Sequence, residues 1–365
     1  MAILKFRNIN RLLFSAFLII GGLYLARPFL IPVTIACLLA MLLLPVARKL
    51  ESLGIKRAVS IILCIALFFL IIMGIATLLS MQGFNLAKNL EEIEQQFRHV
   101  FDDIQEYIQS KFGMEKAKQS KIIREKTETL LQSSTNLITG FLGGLATFGL
   151  ILVYTFFFLY YRNKFFNFIL MVSPKALHQQ NTIILNQISK VTQRYLTGVF
   201  IVILILAVMN SSVLLLLGVN NAIFFGCLAA ILNVIPYIGV IIGSLLPFIM
   251  TLVTKNEFGP ALFVLGALWL NQVIENNLLT PFITGSQVRV NPLSTIMALI
   301  LGGLIWGIFG MILFIPLIGI IKIIFDHVEE LKPLGYLIGD DSDEKDDNTQ
   351  KIKRLFKKLK AKFKS

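Results

Sequence analysis

The sequence predicts an all-α, polytopic membrane protein with about eight hydrophobic segments, two of them broken or re-entrant helical hairpins, plus an external helical hairpin. Three observations carry that reading. Of 365 residues, 56% are hydrophobic and only 15% are charged, with a mean hydropathy of +0.77. The apolar residues come in blocks of about 20, the length a helix needs to cross a bilayer. The basic residues, which set a net charge of +13, gather at the ends of those blocks and in the last fifteen positions. Such placement is the positive-inside pattern, so the charge calls for a membrane and no nucleic acid.

The apolar runs cover 12–26, 29–47, 58–82, 137–161, 196–217, 221–253, 258–280 and 293–325. The first lacks an A-x-A cleavage site and a second follows at once, so it reads as a membrane helix and no signal peptide. Lys5, Arg7 and Arg11 precede the first run, and Arg48, Lys49, Lys56 and Arg57 follow the second. Both places are expected to be cytoplasmic, which makes 1–82 the first three transmembrane helices.

Residues 83–136 then fall outside, with eight Lys/Arg against nine Asp/Glu. Within them Leu86, Leu90, Ile93, Phe97, Val100, Ile104 and Tyr107 alternate at spacings of four and three. That seam wants a partner helix, supplied either by 117–136 folding back or by another subunit. Residues 137–220 hold two further spans. Between them Ser173-Pro174 opens a stretch of mixed polarity, read as a cytoplasmic interfacial helix.

Segment 221–330 holds the breaks. Runs 221–253 and 293–325 each have 33 residues, about 50 Å as straight helices against a hydrocarbon core of about 30 Å. Asn233, Pro236, Gly239 and Gly243 interrupt one; Gly302, Gly303, Gly307 and Gly310 interrupt the other. Each is either a kinked crossing or a pair of half-helices that returns. The neutral linker 254–257 and Arg289 in the linker 281–292 tilt towards two hairpins, flanking the 258–280 helix, with six complete crossings elsewhere. Residues 331–365 form an acidic linker, DDSDEKDD, and a basic amphipathic tail. The tail, Lys351–Lys364, is expected to lie on anionic lipid of the inner leaflet, with both termini cytoplasmic.

Candidate chemistry concentrates in the same segment. Gln272, Glu275, Asn276 and Thr280 fall within nine residues of an apolar run, and the first three stand at i, i+3 and i+4, hence on one helix face. An intramembrane carboxylate costs a few kcal/mol and marks function by default. The alternative puts Glu275 at a helix end, paired with Arg289. Asn233 and the carbonyls freed by Pro236 and loosened at Gly239 offer a polar wall, because irregular backbone at membrane depth lines a cavity or is buried in protein. The alternative there is a packing kink. Cys37, Cys64 and Cys227 lie inside apolar runs with no paired spacing, and His99, His178 and His327 are scattered. Neither set suggests a metal or a disulfide. No P-loop or nucleophile elbow occurs, which argues against an enzyme, a nucleotide cofactor and transport driven by ATP on this chain.

These motifs resemble a known family. The N-x-I-P-x-x-G of Asn233–Gly239, Pro247, the Q-x-x-E-N of Gln272–Asn276 and the P-x-x-x-G of Pro281–Gly285 come in its order. Pro292 and the G-x-x-G-M-I-L-F-I-P-L of Gly307–Leu317 follow. The sequence is similar to the autoinducer-2 exporter family of bacterial permeases over nearly its whole length. That resemblance implies a secondary transporter of the bacterial plasma membrane, a homo-oligomer, working by alternating access. The site residues it brings together are Asn233, Pro236, Gly239, Gln272, Glu275, Asn276 and Pro281. Some members export autoinducer-2 and others behave as sodium(lithium)/proton antiporters, so a small polar solute, Na+ or H+ are the candidate cargoes. A membrane scaffold without transport is the third reading.

Overall fold

The computed structural model describes residues 6–88, 144, 146–283 and 290–340. The expected external hairpin beyond Lys88, Gly285, Arg289 and the basic tail lie outside the described residues. Among the described residues twelve α-helices follow one another: α1 Phe6–Leu25, α2 Arg27–Ser52, α3 Arg57–Lys88, α4 Ala146–Tyr160, α5 Arg162–Val172, α6 His178–Leu216, α7 Ala222–Leu232, α8 Ile238–Lys255, α9 Phe258–Ile274, α10 Thr280–Ile283, α11 Pro292–His327 and α12 Lys332–Ile338. No named strand occurs among the described residues. Six of their helices are long and apolar enough to cross a membrane, with α11 counted as one. The protein is therefore an all-α, polytopic membrane protein.

The chain divides into two compact units, 1–31 with 162–196 and 286–365, and 32–161 with 197–285. In the second unit α2, α3 and α4 close around Ala36, Leu39, Ala40, Leu43, Ile61, Ile151 and Leu159. Arg57 ties the start of α3 to this group by donating to the Leu159 carbonyl at 2.9 Å. Further along, α6, α7, α8 and α9 bury Leu214, Phe225, Met250, Val264 and Leu268 together. Val202, Leu206 and Ala230 form a smaller cluster, against which Ile283 of α10 packs.

The interfacial helix expected before the fifth span is not a separate element. A short 3-10 turn, Lys175–Leu177, follows Pro174, and then α6 runs unbroken for 39 residues. No proline falls between His178 and Leu216, so nothing removes a backbone donor and the helix continues. Helix α5 is an addition that the apolar runs did not announce.

Both long runs fold back on themselves. Helix α7 has 11 residues, a rise of about 16 Å, roughly half the hydrocarbon thickness. The chain then reverses through Asn233–Tyr237. Tyr237 holds φ 63° and ψ −57°, and Ile238 N–H donates to the Pro236 carbonyl at 2.7 Å. Together these define the rare γ-turn with positive φ. Beyond it α8 returns against α7. A Cβ on Gly239 would sit 1.7 Å from the Leu232 carbonyl oxygen, and one on Gly243 would sit 2.9 Å from Ala229 Cα. The paired numbers rise on one side as they fall on the other, which is the signature of antiparallel helices.

In the first unit α11 reverses at Gly307, whose φ of 62° and ψ of −142° are non-helical. Only glycine adopts that conformation without strain. Gly302 and Gly310 then meet, a Cβ on either falling within 2.5 Å of the other's carbonyl oxygen. Eight residues along a straight helix would be about 12 Å apart. The start of α11 is held by the end of α12: Asn291 donates through Nδ2 to the Leu337 carbonyl at 2.8 Å and to that of Gly339 at 3.1 Å. Trp306, at the tip, donates to the Leu23 carbonyl of α1 at 3.0 Å.

Candidate functional site

From Thr197 to Ile283 the chain carries three charged residues, Lys255, Glu257 and Glu275. Lys255 donates to the Leu217 carbonyl at 2.9 Å and so closes the end of α6. Glu257 precedes α9, whereas Glu275 follows it; 18 residues of helix put about 27 Å between them. Glu275 is 6% exposed, and no ion pair to it occurs among the described residues. Burial without a cation is costly unless donors satisfy the oxygens. Two side chains do so. Gln272 donates through Nε2 to Oε2 at 2.6 Å, and Thr280 donates through Oγ1 to Oε1.

The local backbone explains that grip. Residues 275–279 form a π-turn, with Thr280 N–H donating to the Glu275 carbonyl. In an α-helix, residue i+5 lies about 140° around the axis from residue i. The i→i+5 pattern of the π-turn instead sets it one turn above. Pro281 has no N–H with which to continue the α-pattern, so the sequence favours departure from α-geometry here.

Asn271, 5% exposed, donates to Asn210 Oδ1 of α6 at 2.9 Å. Beside this pair lies a cavity of about 20 Å³, lined by Asn210, Asn233, Ser244 and Gln272 with Leu206 and Leu268, enough for about one water. Three amides and a hydroxyl thus converge where α6, α8 and α9 meet the α7–α8 turn. Gln272 is the link, since it lines the cavity and its amide also holds Glu275.

The candidate residues are not all alike. Asn233 and Gln272 line the cavity, and Glu275 lies just behind Gln272. Asn276 is exposed, reached by Gln272 Nε2 at 3.3 Å. Pro281 is exposed on α10. Pro236 shapes the γ-turn, and the carbonyl it was expected to free, that of Leu232, accepts Ile235 N–H at 2.9 Å. Gly239 is the contact that brings α8 onto this carbonyl. Asn210, Asn271 and Ser244 were not among the candidates. Asn271 precedes Glu275 by one helical turn, and Asn210 is the amide inside the 196–217 run; both are signals of a polar stripe.

A polytopic helical protein with a helix pair reversed beside a lone buried carboxylate and a cluster of amides has the build of a permease. The particular family follows from comparison. The model of the AI-2E family transporters matches residues 13–330, and the chain belongs to that family. It is 26% identical over 331 residues to the AI-2 transport protein TqsA of Escherichia coli (strain K12), covering 88% of this chain and 93% of TqsA. YrrI of Bacillus subtilis (strain 168) is 26% identical over 312 residues, 82% of this chain and 87% of YrrI. YhhT of Escherichia coli (strain K12) is 23% identical over 328 residues, 89% of this chain and 92% of YhhT.

Proposed function

We propose that this chain is a secondary transporter that exports a small polar solute of the autoinducer-2 type across the bacterial inner membrane. The solute binds at Asn210, Asn233 and Gln272, with Glu275 as the working carboxylate. Glu275 carries the reading: a buried carboxylate with no ion pair among the described residues, fixed by two side-chain donors, is too costly to keep for packing alone. Hydroxyls of the solute would bond the amides that line the small cavity, and the α7–α8 hairpin would shift against α6 and α9 to admit it. The name of TqsA supports the choice of solute. Cytoplasmic termini, a homo-oligomer and a tail on anionic lipid belong to the same proposal.

The antiport reading rests on the same carboxylate, which could alternate between a proton and Na+. One experiment separates the readings. Proteoliposomes are loaded with autoinducer-2, or given a sodium gradient and an internal pH dye, with wild type and Glu275→Gln. Solute efflux that is lost in Glu275→Gln supports export. Proton movement driven by sodium supports antiport instead. Well-folded protein that moves neither, or a variant as active as wild type, refutes Glu275 as a transport residue.

A further inference from the structure

Resting on that reading of Glu275, we propose that Thr280 is its positioning residue, serving the carboxyl group in both its charged and its protonated form. A proton then joins and leaves at Oε1 while the site keeps its shape.

The two donors on Glu275 differ in what they can become. Gln272 approaches Oε2 through its amide nitrogen, which only donates. A proton on Oε2 would face that N–H and break the contact. Thr280 approaches Oε1 through a hydroxyl, which carries one donor and two acceptor lone pairs. When a proton arrives at Oε1 an O–H bond forms there, and Thr280 Oγ1 turns to accept it. The hydroxyl hydrogen of Thr280 then turns towards a helix carbonyl, as those of Thr251 and Thr254 do towards Pro247 and Met250. On release the O–H bond breaks and the first arrangement returns. Gln272 stays on Oε2 throughout.

The π-turn gives this pairing its independent support. With α-geometry Thr280 would point away from Glu275; the widened turn brings residue i+5 over residue i. The other charged groups on the packed elements stand at their ends: Lys190 and Arg194 in the first part of α6, and Lys255 at the end of α8, bonded to the Leu217 carbonyl. From Thr197 to Thr254 and from Phe258 to Ile274 there is no Asp, Glu, Lys, Arg or His. The remaining titratable side chains there are Cys227, beside Ser211 at 3.9 Å, and Tyr237, exposed in the turn. Of the two side chains bonded to Glu275, Thr280 is the one able to follow the proton.

The test compares Thr280→Val, which keeps the shape without the hydroxyl, and Thr280→Ser, which keeps the hydroxyl. In autoinducer-2 proteoliposomes Thr280→Val should lose about tenfold or more in turnover with an unchanged KM, as expected for one lost hydrogen bond to a charged group. Thr280→Ser should recover it. Infrared spectra of the purified protein supply an arm that needs no transport. The carboxyl band that disappears in Glu275→Gln should move to higher wavenumber in Thr280→Val and return in Thr280→Ser. A Thr280→Val protein with unmoved band and full turnover overturns the proposal, as does loss of both that serine fails to restore. If no variant or wild type moves autoinducer-2 while the band shifts as described, the substrate is wrong and Thr280 stands.

Discussion

Replacing Gly239 by alanine probes the turn that shapes the site. The new Cβ would lie 1.7 Å from the Leu232 oxygen, 2.4 Å from its carbon and 3.0 Å from Asn233 N, all of them backbone atoms. Real Cβ atoms stay beyond 3.0 Å, so α7 and α8 must part by at least about 1.3 Å. A flexible side chain would swing aside, but a carbonyl inside a hydrogen-bonded turn does not. Overpacking of this kind costs about 1–3 kcal/mol, here at the upper end. Alanine's better helix propensity returns about 1 kcal/mol. The balance, about 2 kcal/mol, corresponds to a fall of about 3 °C in Tm for a chain of 365 residues.

The assay is heating of detergent-solubilised protein followed by size-exclusion chromatography, reading the temperature at which half the monodisperse peak is lost. Gly266→Ala on α9, where no atom lies within 4 Å of the new Cβ, is the control and should match or exceed wild type. If Gly239→Ala melts with wild type while the control behaves, α8 does not rest on the Leu232 carbonyl and the hairpin argument fails.

Gly307→Ala tests the second reversal by a different cause. Its Cβ meets open space, so the loss, about 1–3 kcal/mol by the same melting assay, reports backbone strain alone. Asn210→Leu should destabilise by about 1–3 kcal/mol, because Asn271 is left buried without its acceptor. The double variant Asn210→Leu with Asn271→Leu should regain most of that loss; a double variant that is worse than the sum would show that the pair is not coupled as described.

Much of the fold is legible because lipid leaves so few choices. A run such as 58–82 has to satisfy its own backbone, and a helix is how a single segment does it. The direction of the two 33-residue runs is not legible in the same way. Glycines and prolines mark where a chain can bend, but Gly239 and Gly243 turned out to serve close packing, while the reversal falls at Pro236–Ile238. In 293–325 four glycines looked alike; one, Gly307, carries the turn, and Gly302 and Gly310 let its arms touch. The site was legible as residue types and less so as geometry. An α-helical count puts Asn276 beside Glu275 and Thr280 away from it. The π-turn inverts that order, and it depends on how Pro281 and the neighbouring helices leave the backbone bonds, which spacing alone does not report.

The isolation of Glu275 bears on stability as much as on transport. A carboxylate at membrane depth costs about 2.5–3.5 kcal/mol on insertion scales, a large part of the 5–15 kcal/mol that usually separates folded from unfolded chains. A structural ion pair would offset this with a cation, and the two other charges in this stretch of chain lie elsewhere. What Gln272 and Thr280 supply is two donors, enough to hold the group and not enough to make it an asset to the fold. Glu275→Gln keeps the size and polarity while removing the charge, so the variant should fold at least as well as wild type while transport is lost. Stability that drops together with activity would instead mean that Glu275 is part of the packing, and the case for a working carboxylate would fall with it.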